Sequence, residues 1–319
     1  MRTYIVKRSL LFIPTLLIVT MVIFGILRVV PGDPAMMILG GEDAEDDYSE
    51  QQLADLRAKL GTDKPIHVQY FVWIGKMLRG DFGISFFYEG DMVLDDIKER
   101  VPVTLELGLM SLFLASIVAI PLGVISAMKQ DTIGDYVTRV ITIMGIALPN
   151  FWVAIMTIFF LVLFFNWAPP LAYVPPWEDP WVNFQQLIFP AIALGTSNMA
   201  FIARITRSAM LEVLRQDFIR TARAKGVHER GVIWRHALKA AMVSIIPVLG
   251  IQAGFVLSGA VYIEIVFQWP GVGRMLVDAI LTRDILLVQG GVVFVAACYV
   301  LFNIVVDVAQ SLLDPRIKT

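Results

Sequence analysis

The side chains able to do covalent chemistry are few, and none forms a working set. The three histidines, His67, His228 and His236, fall in polar segments. Ser258-Gly259 has no histidine in a neighbouring apolar run to act as its base. Gly271-Val272-Gly273 lacks the third glycine and the preceding strand of a nucleotide fingerprint, and no P-loop occurs. A membrane-embedded hydrolase would need a nucleophile with a base, or metal ligands, inside the apolar runs. The sequence therefore reads as a non-enzyme that binds no cofactor or metal and hydrolyses no ATP itself. One segment is distinctive instead: Asp217-Phe218-Ile219-Arg220-Thr221-Ala222-Arg223-Ala224-Lys225-Gly226. Small side chains at Thr221, Ala222 and Ala224 let another surface approach closely, framed by Arg220, Arg223 and Lys225. Gly226 can take a positive φ and end one helix before a second begins. The same composition suits a basic amphipathic loop on anionic lipid, and both readings stay open on physics alone.

The elements that position this segment follow from composition. Of 319 residues, 57% are hydrophobic and 17% charged, against about 45–50% and 25% in soluble domains. The mean hydropathy is +0.71. Too little charge is present to cover a water-facing surface, which excludes an ordinary soluble enzyme and a disordered chain. The lone cysteine, Cys298, excludes a disulfide scaffold. A spanning helix needs roughly 20 apolar residues. Six stretches qualify, at residues 9–30, 103–128, 140–165, 187–205, 241–263 and 288–312. The first is too long for a signal peptide and is read as a retained anchor. The predicted class is all-α: a polytopic membrane protein with six transmembrane helices, a short helix pair at the cytoplasmic face and a folded outer loop.

Six spans put both termini on one side. With the N-terminus inside, the inner segments carry 16 Lys/Arg against 6 Asp/Glu, and the outer segments 9 against 20. The positive-inside rule therefore makes both termini cytoplasmic. The expected layout is residues 1–30 as N-terminus and first span, 31–102 as an outer helical loop, 103–312 as spans two to six, and 313–319 as a cytoplasmic tail. The basic inner loop covers about 206–240. In the outer loop, Ser49 with Gln52 fits a capping box, Gly61 a C-cap, and Pro65 a first helical turn with Gly80 closing that helix. A third short helix is expected over 91–100, and the acidic run 42–47 reads as a solvated excursion.

Within the spans, Pro149 lacks an N–H and would clash with the carbonyl of Gly145, so a kink is expected in span three. It serves either gating or simple shape. Ser244, Gln252, Ser258, Gly259 and Tyr262 share an arc of roughly 120° on span five, a face expected to look inward. That face, and Thr196, Ser197 and Asn198 in span four, either lines a path or packs on neighbouring spans. Glu264 to Gly273 is placed at the outer mouth. Pro270 cannot continue a helix, Gly271 and Gly273 allow a sharp re-entry, and Phe267 and Trp269 either plug a gate or anchor at the interface. Arg28, Glu106 and Asp307 lie near span ends, where structural pairing is expected rather than proton relay. A secondary transporter would show inverted repeats and ionisable residues at mid-membrane, and neither is seen.

The segment from Arg220 to Gly226, continuing through Trp234-Arg235-His236-Ala237-Leu238-Lys239, resembles the EAA loop of ABC-importer permeases. More narrowly it resembles the first permease subunit of dipeptide/oligopeptide importers. The general pattern has Glu at the place of Arg220, Ala at Thr221 and Pro at Lys239, and the peptide subfamily shares these departures. Arg28-Val29-Val30-Pro31-Gly32-Asp33-Pro34, Arg79-Gly80-Asp81-Phe82-Gly83, Ala147-Leu148-Pro149-Asn150-Phe151, Glu264-Ile265-Val266-Phe267 and Trp269-Pro270-Gly271-Val272-Gly273 resemble family segments in the same order. The resemblance implies a plasma-membrane pore subunit that moves di- or oligopeptides inward. Its partners would be a homologous second permease, two ATPases that hold the ATP and Mg, an extracytoplasmic substrate-binding protein and membrane lipid, with no nucleic acid. Glutathione or nickel complexes are the alternative cargoes. It also implies that Arg220, Thr221, Ala222, Ala224 and Gly226 couple to the ATPases, with Arg223 and Lys225 as polar contacts. Pro149, Asn150, Asn198, Gln252, Ser258, Tyr262, Glu264, Phe267, Trp269, Pro270 and Gly271 remain pathway or gate candidates.

Overall fold

The computed structural model describes residues 2–29, 35–36, 39, 49–85, 92–168 and 172–313. Side chains are described for these except 2–9, 11, 59–60, 255, 257–259 and 305–313. The Pro31–Pro34 motif, the acidic run 42–47 and the side chains of Ser258, Gly259 and Asp307 therefore lie outside the described residues. The described residues are helical, with one isolated antiparallel bridge between Ile84 and Met92. The helices are α1 (Arg2–Val29), α2 (Glu50–Leu60), α3 (Ile66–Met77), α4 (Val93–Met128), α5 (Ile133–Ala147) and α6 (Asn150–Phe165). Then follow α7 (Pro180–Leu214), α8 (Asp217–Ala224), α9 (Leu238–Val266), α10 (Val272–Leu281) and α11 (Ile285–Leu313). A short turn of helix, Glu229–Gly231, and a π-helical turn, Val232–Ala237, lead into α9.

Five helical stretches are long and apolar enough to cross a membrane, and six if the bent pair α5–α6 counts as one span. That pair turns by 104°. The expected kink in span three is thus a full break. Pro149 caps α6 from outside at φ −64°, ψ 135°, so it never opposes the Gly145 carbonyl within one helix. Three further boundaries differ from expectation. The separate short helix over 91–100 does not exist, because α4 runs on through Pro102 and Pro121. α7 begins seven residues before the predicted span and ends at Leu214, well inside the predicted loop. Pro180 fits its first turn, and Asp179 accepts from the Trp181 and Val182 amides at 3.0 and 3.1 Å. α10 makes a helix where only a loop was expected.

Contacts divide the chain into two compact units. One comprises Met1–Val6, Val101–Arg274 and Leu301–Thr319. Its central helix is α7, which packs on α5, α6 and α9. Buried Ala191, Ala193, Ala200 and Ala203 along α7 let backbones approach closely, as membrane helix packing requires. The second unit comprises Lys7–Arg100 and Met275–Val300. Here α2 carries the capping box, with the Ser49 and Gln52 side chains each accepting from the other's backbone amide. Gly61 caps its end at φ 71°. Pro65 stands one place before α3, as its N-cap. Phe24 of α1 packs edge-on to Tyr70 and stacks on Trp73 of α3.

Candidate functional site

The predicted coupling segment is a short helix held at two points. Ile219 is its one buried residue, seated among Val124 and Ala127 of α4, Met210 and Val213 of α7, and Ala241 and Ile245 of α9. Its C-terminal turn is a Schellman motif: the Gly226 amide donates to Arg223 O at 2.9 Å and the Val227 amide to Ala222 O at 3.3 Å. Gly226 sits at φ 75° with open space around its Cα, so backbone conformation alone demands glycine there. Beyond the turn, Arg223 makes a paired contact with Glu229, Nη2 to Oε1 at 2.8 Å and Nε to Oε2 at 3.2 Å. That pair raises the Arg223 pKa through its hydrogen bonds to the carboxylate. His228 Nδ1 accepts from the Arg230 amide at 3.2 Å and starts the next turn of helix.

Arg220, Thr221, Arg223, Ala224, Lys225 and Gly226 are exposed, whereas Ala222 is half-buried against the chain's own core. Ala222 therefore packs partly against the buried cluster under α8. Phe218, Val227 and Trp234 are exposed large side chains beside the segment. Their apolar type in a basic, solvent-facing loop was the available sequence signal.

Glu264 to Gly273 forms a latch around a buried carboxylate. Glu264 is fully buried. Its Oε1 accepts from Thr104 Oγ1 at 2.6 Å and its Oε2 from the Arg274 amide at 2.9 Å. Thr104 Oγ1 in turn accepts from the Val272 amide at 2.9 Å. A Cβ on Gly271 would overlap the Glu264 carboxylate, and one on Gly273 would stand 2.8 Å from Oε2. The two glycines thus let the chain fold over the acid, a requirement distinct from a free re-entrant turn. Phe267 and Trp269 are buried with Val103, Leu107, Val256 and Ile263. Both rings thus pack within this unit. The Trp269 indole donates to Val103 O at 3.4 Å and meets Tyr173 edge-on at 5.2 Å. The Tyr173 hydroxyl donates to Glu106 Oε2 at 2.7 Å. Burial, then the adjacent Glu106 charge, push its pKa up, so it stays a donor. Pro270 ends the turn between α9 and α10.

The remaining candidates separate. Ser197 Oγ donates to Asn150 Oδ1 at 2.8 Å beside Pro149. Gln252 Nε2 donates to Asn198 Oδ1 at 2.8 Å, joining α9 to α7. Ser244 and Tyr262 are exposed. Gln252 of the span-five stripe thus packs on α7, whereas Ser244 and Tyr262 lie on a part of α9 that no other described helix of this chain covers. Sequence reading missed a heavily bonded acid, Asp135, which is completely buried. It accepts from Ser126 Oγ, the Asp131 amide, Arg139 and Arg207. Asp135 stands outside the predicted 140–165 run among other polar residues, so nothing local marked it. Among the described residues no group of three or more His, Cys, Asp or Glu could hold a metal ion.

The site among the described residues is thus an assembly of helix joints. Residues 119–319 match the binding-protein-dependent transport system inner membrane component family, and residues 1–108 match the N-terminal component of the same systems. The chain is 38% identical over 339 residues to the dipeptide transport system permease protein DppB of Alkalihalophilus pseudofirmus, covering all of both chains. It is 38% identical over 341 residues to DppB of Escherichia coli K12, covering 100% of this chain and 99% of the other. The joints described above therefore belong to a multi-pass, non-catalytic permease, and the chain is a member of the family of binding-protein-dependent transport system inner membrane components.

Proposed function

We propose that this permease carries di- or oligopeptides into the cytoplasm as one of two homologous pore subunits. Two ATPase subunits, which hold the ATP and Mg, dock beneath α8, and an extracytoplasmic binding protein delivers cargo to the opposite mouth. Both termini are cytoplasmic, in keeping with the Lys/Arg excess in the segments on that side. The observation that carries the reading is the mounting of α8. Its exposed face offers Arg220, Thr221, Ala224 and Lys225, while Ile219 on the opposite face belongs to one buried cluster with residues of α4, α7 and α9. A push on the outer face therefore reaches a buried cluster shared by three long helices. ATP binding elsewhere would shift the pore between states in this way. The exposed edge of α9 with Ser244 and Tyr262 is the surface for the second permease and the cargo path. The latch around Glu264 closes the outer mouth.

The test is reconstitution with the ATPases, the second permease and the binding protein. Cysteines at Thr221 and Ala224 should crosslink to the ATPase, and dipeptide uptake should require ATP. Uptake that persists after the crosslink is locked would remove α8 from the coupling route.

A further inference from the structure

The buried cluster that includes Ile219 takes in residues of α4, α7 and α9 and, among the described residues, none of α5. A carboxylate joins the start of α5 to it. Asp135 is fully buried. Ser126 Oγ donates to its Oδ1 at 2.5 Å from α4, directly beside Ala127 of the cluster. Arg207 Nε and Nη2 donate to Oδ1 and Oδ2 at 2.8 Å each from α7, shortly before Ala209 and Met210 of the cluster. The Asp131 amide and Arg139 Nη2 close the turn into α5 around the same group. Towards its other end α5 meets α7 again, where a Cβ on Gly145 would stand 2.9 Å from Ala200 Cβ. Just beyond lies the 104° break at Pro149.

The two kinds of joint differ mechanically. Apolar packing has no preferred direction. A guanidinium paired with a carboxylate through two parallel bonds fixes distance and angle together. Stability alone does not call for a charge pair here, since apolar side chains of similar volume often do as well. A joint that must keep its geometry while neighbouring helices shift does call for one. We propose that Asp135 is a positioning residue for transport coupling. Through Ser126 and Arg207 it makes the ends of α4, α5 and α7 nearest α8 move as one body, so that α5 carries a displacement of the Ile219 cluster to the break at Pro149. This role presupposes that α8 is the ATPase-facing helix.

The test uses the reconstituted transporter, with Cys298→Ser in this chain and spin labels on Ile133→Cys of α5 and Glu212→Cys of α7, both exposed positions. The label separation, read by pulsed electron paramagnetic resonance, should be the same with and without ATP. In Asp135→Asn it should become broad and ATP-dependent. Peptide moved per ATP hydrolysed should then fall roughly tenfold, an ordinary size for coupling between sites. Arg207→Lys keeps the charge and gives up the paired geometry. It should lower the same ratio while assembling in wild-type amounts, which covers the case in which Asp135→Asn assembles poorly. Uptake and hydrolysis that fall in parallel, or a separation that stays fixed in both variants, would reduce the pair to a structural clamp and overturn the role. A wild-type separation that changes with ATP would overturn it too. The Thr221→Cys crosslink to the ATPase, read in separate preparations, should form in wild type and variants alike. Its absence from the wild type would fail the reading of α8, whereas the label separation judges the joint in either case.

Discussion

Asp135 and Arg207 stand 72 residues apart in the chain and meet through two parallel hydrogen bonds of 2.8 Å, Nε to Oδ1 and Nη2 to Oδ2. The pair fixes the start of α5 to α7, and the Ser126 hydroxyl adds the end of α4 to the same carboxylate. Arg207 lies about one turn before Met210 and two before Val213, which share the buried cluster of Ile219. The joint between α4, α5 and α7 is therefore adjacent to the mounting of α8.

Breaking a buried ion pair by removing one partner leaves an uncompensated charge and costs about 3–5 kcal/mol. Asp135→Asn should lower the unfolding temperature of the purified protein markedly. Adding Arg207→Gln should recover part of the loss, because the second charge goes with the first. Thermal unfolding of both variants checks this, and equal values for wild type and Asp135→Asn would refute it.

Gly226 is required by its φ of 75° and not by crowding. A β-branched residue there costs roughly 1–3 kcal/mol of backbone strain, whereas Asn tolerates the left-handed region. Gly226→Val should insert normally yet abolish peptide uptake, and Gly226→Asn should retain most of it. Uptake per inserted subunit is the measurement.

Gly271→Ala forces a methyl into the Glu264 carboxylate. Overpacking of this kind costs about 1–3 kcal/mol. In a double-mutant cycle with Glu264→Ala the two effects should be non-additive, since the second change removes the atoms the first one strikes. Strict additivity in thermal unfolding would mean the latch does not close as described.

Trimming Phe267 and Trp269 to Ala removes buried rings, each change worth about 3–5 kcal/mol in a packed core. If the latch closes the outer mouth, the closed state weakens most, and ATPase turnover without peptide should rise in the assembled transporter. Unchanged basal turnover with lower membrane yield would point to anchoring instead.

Gln268 is exposed at φ 56° on the turn of the latch. Gln268→Cys in a Cys298→Ser background should react with a membrane-impermeant thiol reagent only from outside the cell. Labelling solely from the cytoplasmic side would reverse the proposed topology.

Local signals in the sequence were enough for whatever depends on neighbours a few positions away. The apolar runs, the Ser49–Gln52 capping box, the left-handed Gly61 and Gly226 and the interruption at Pro149 are set by hydrophobic length, cap chemistry and backbone sterics. The basic α8 segment was legible for the same reason. Helix ends were less so: α7 gains its extra N-terminal turns because Gln186 and Asn183 bond the backbone of Ala172 and Val174, partners that no periodicity reveals. The residues that join helices were decided only in three dimensions. Glu264 reads as a loop acid until Thr104, 160 positions away, donates to it and two glycines leave room for it. Asp135 reads as a solvated charge until Arg207 reaches it from α7. A buried carboxylate is stable only where several donors converge, and which donors converge depends on which helices become neighbours.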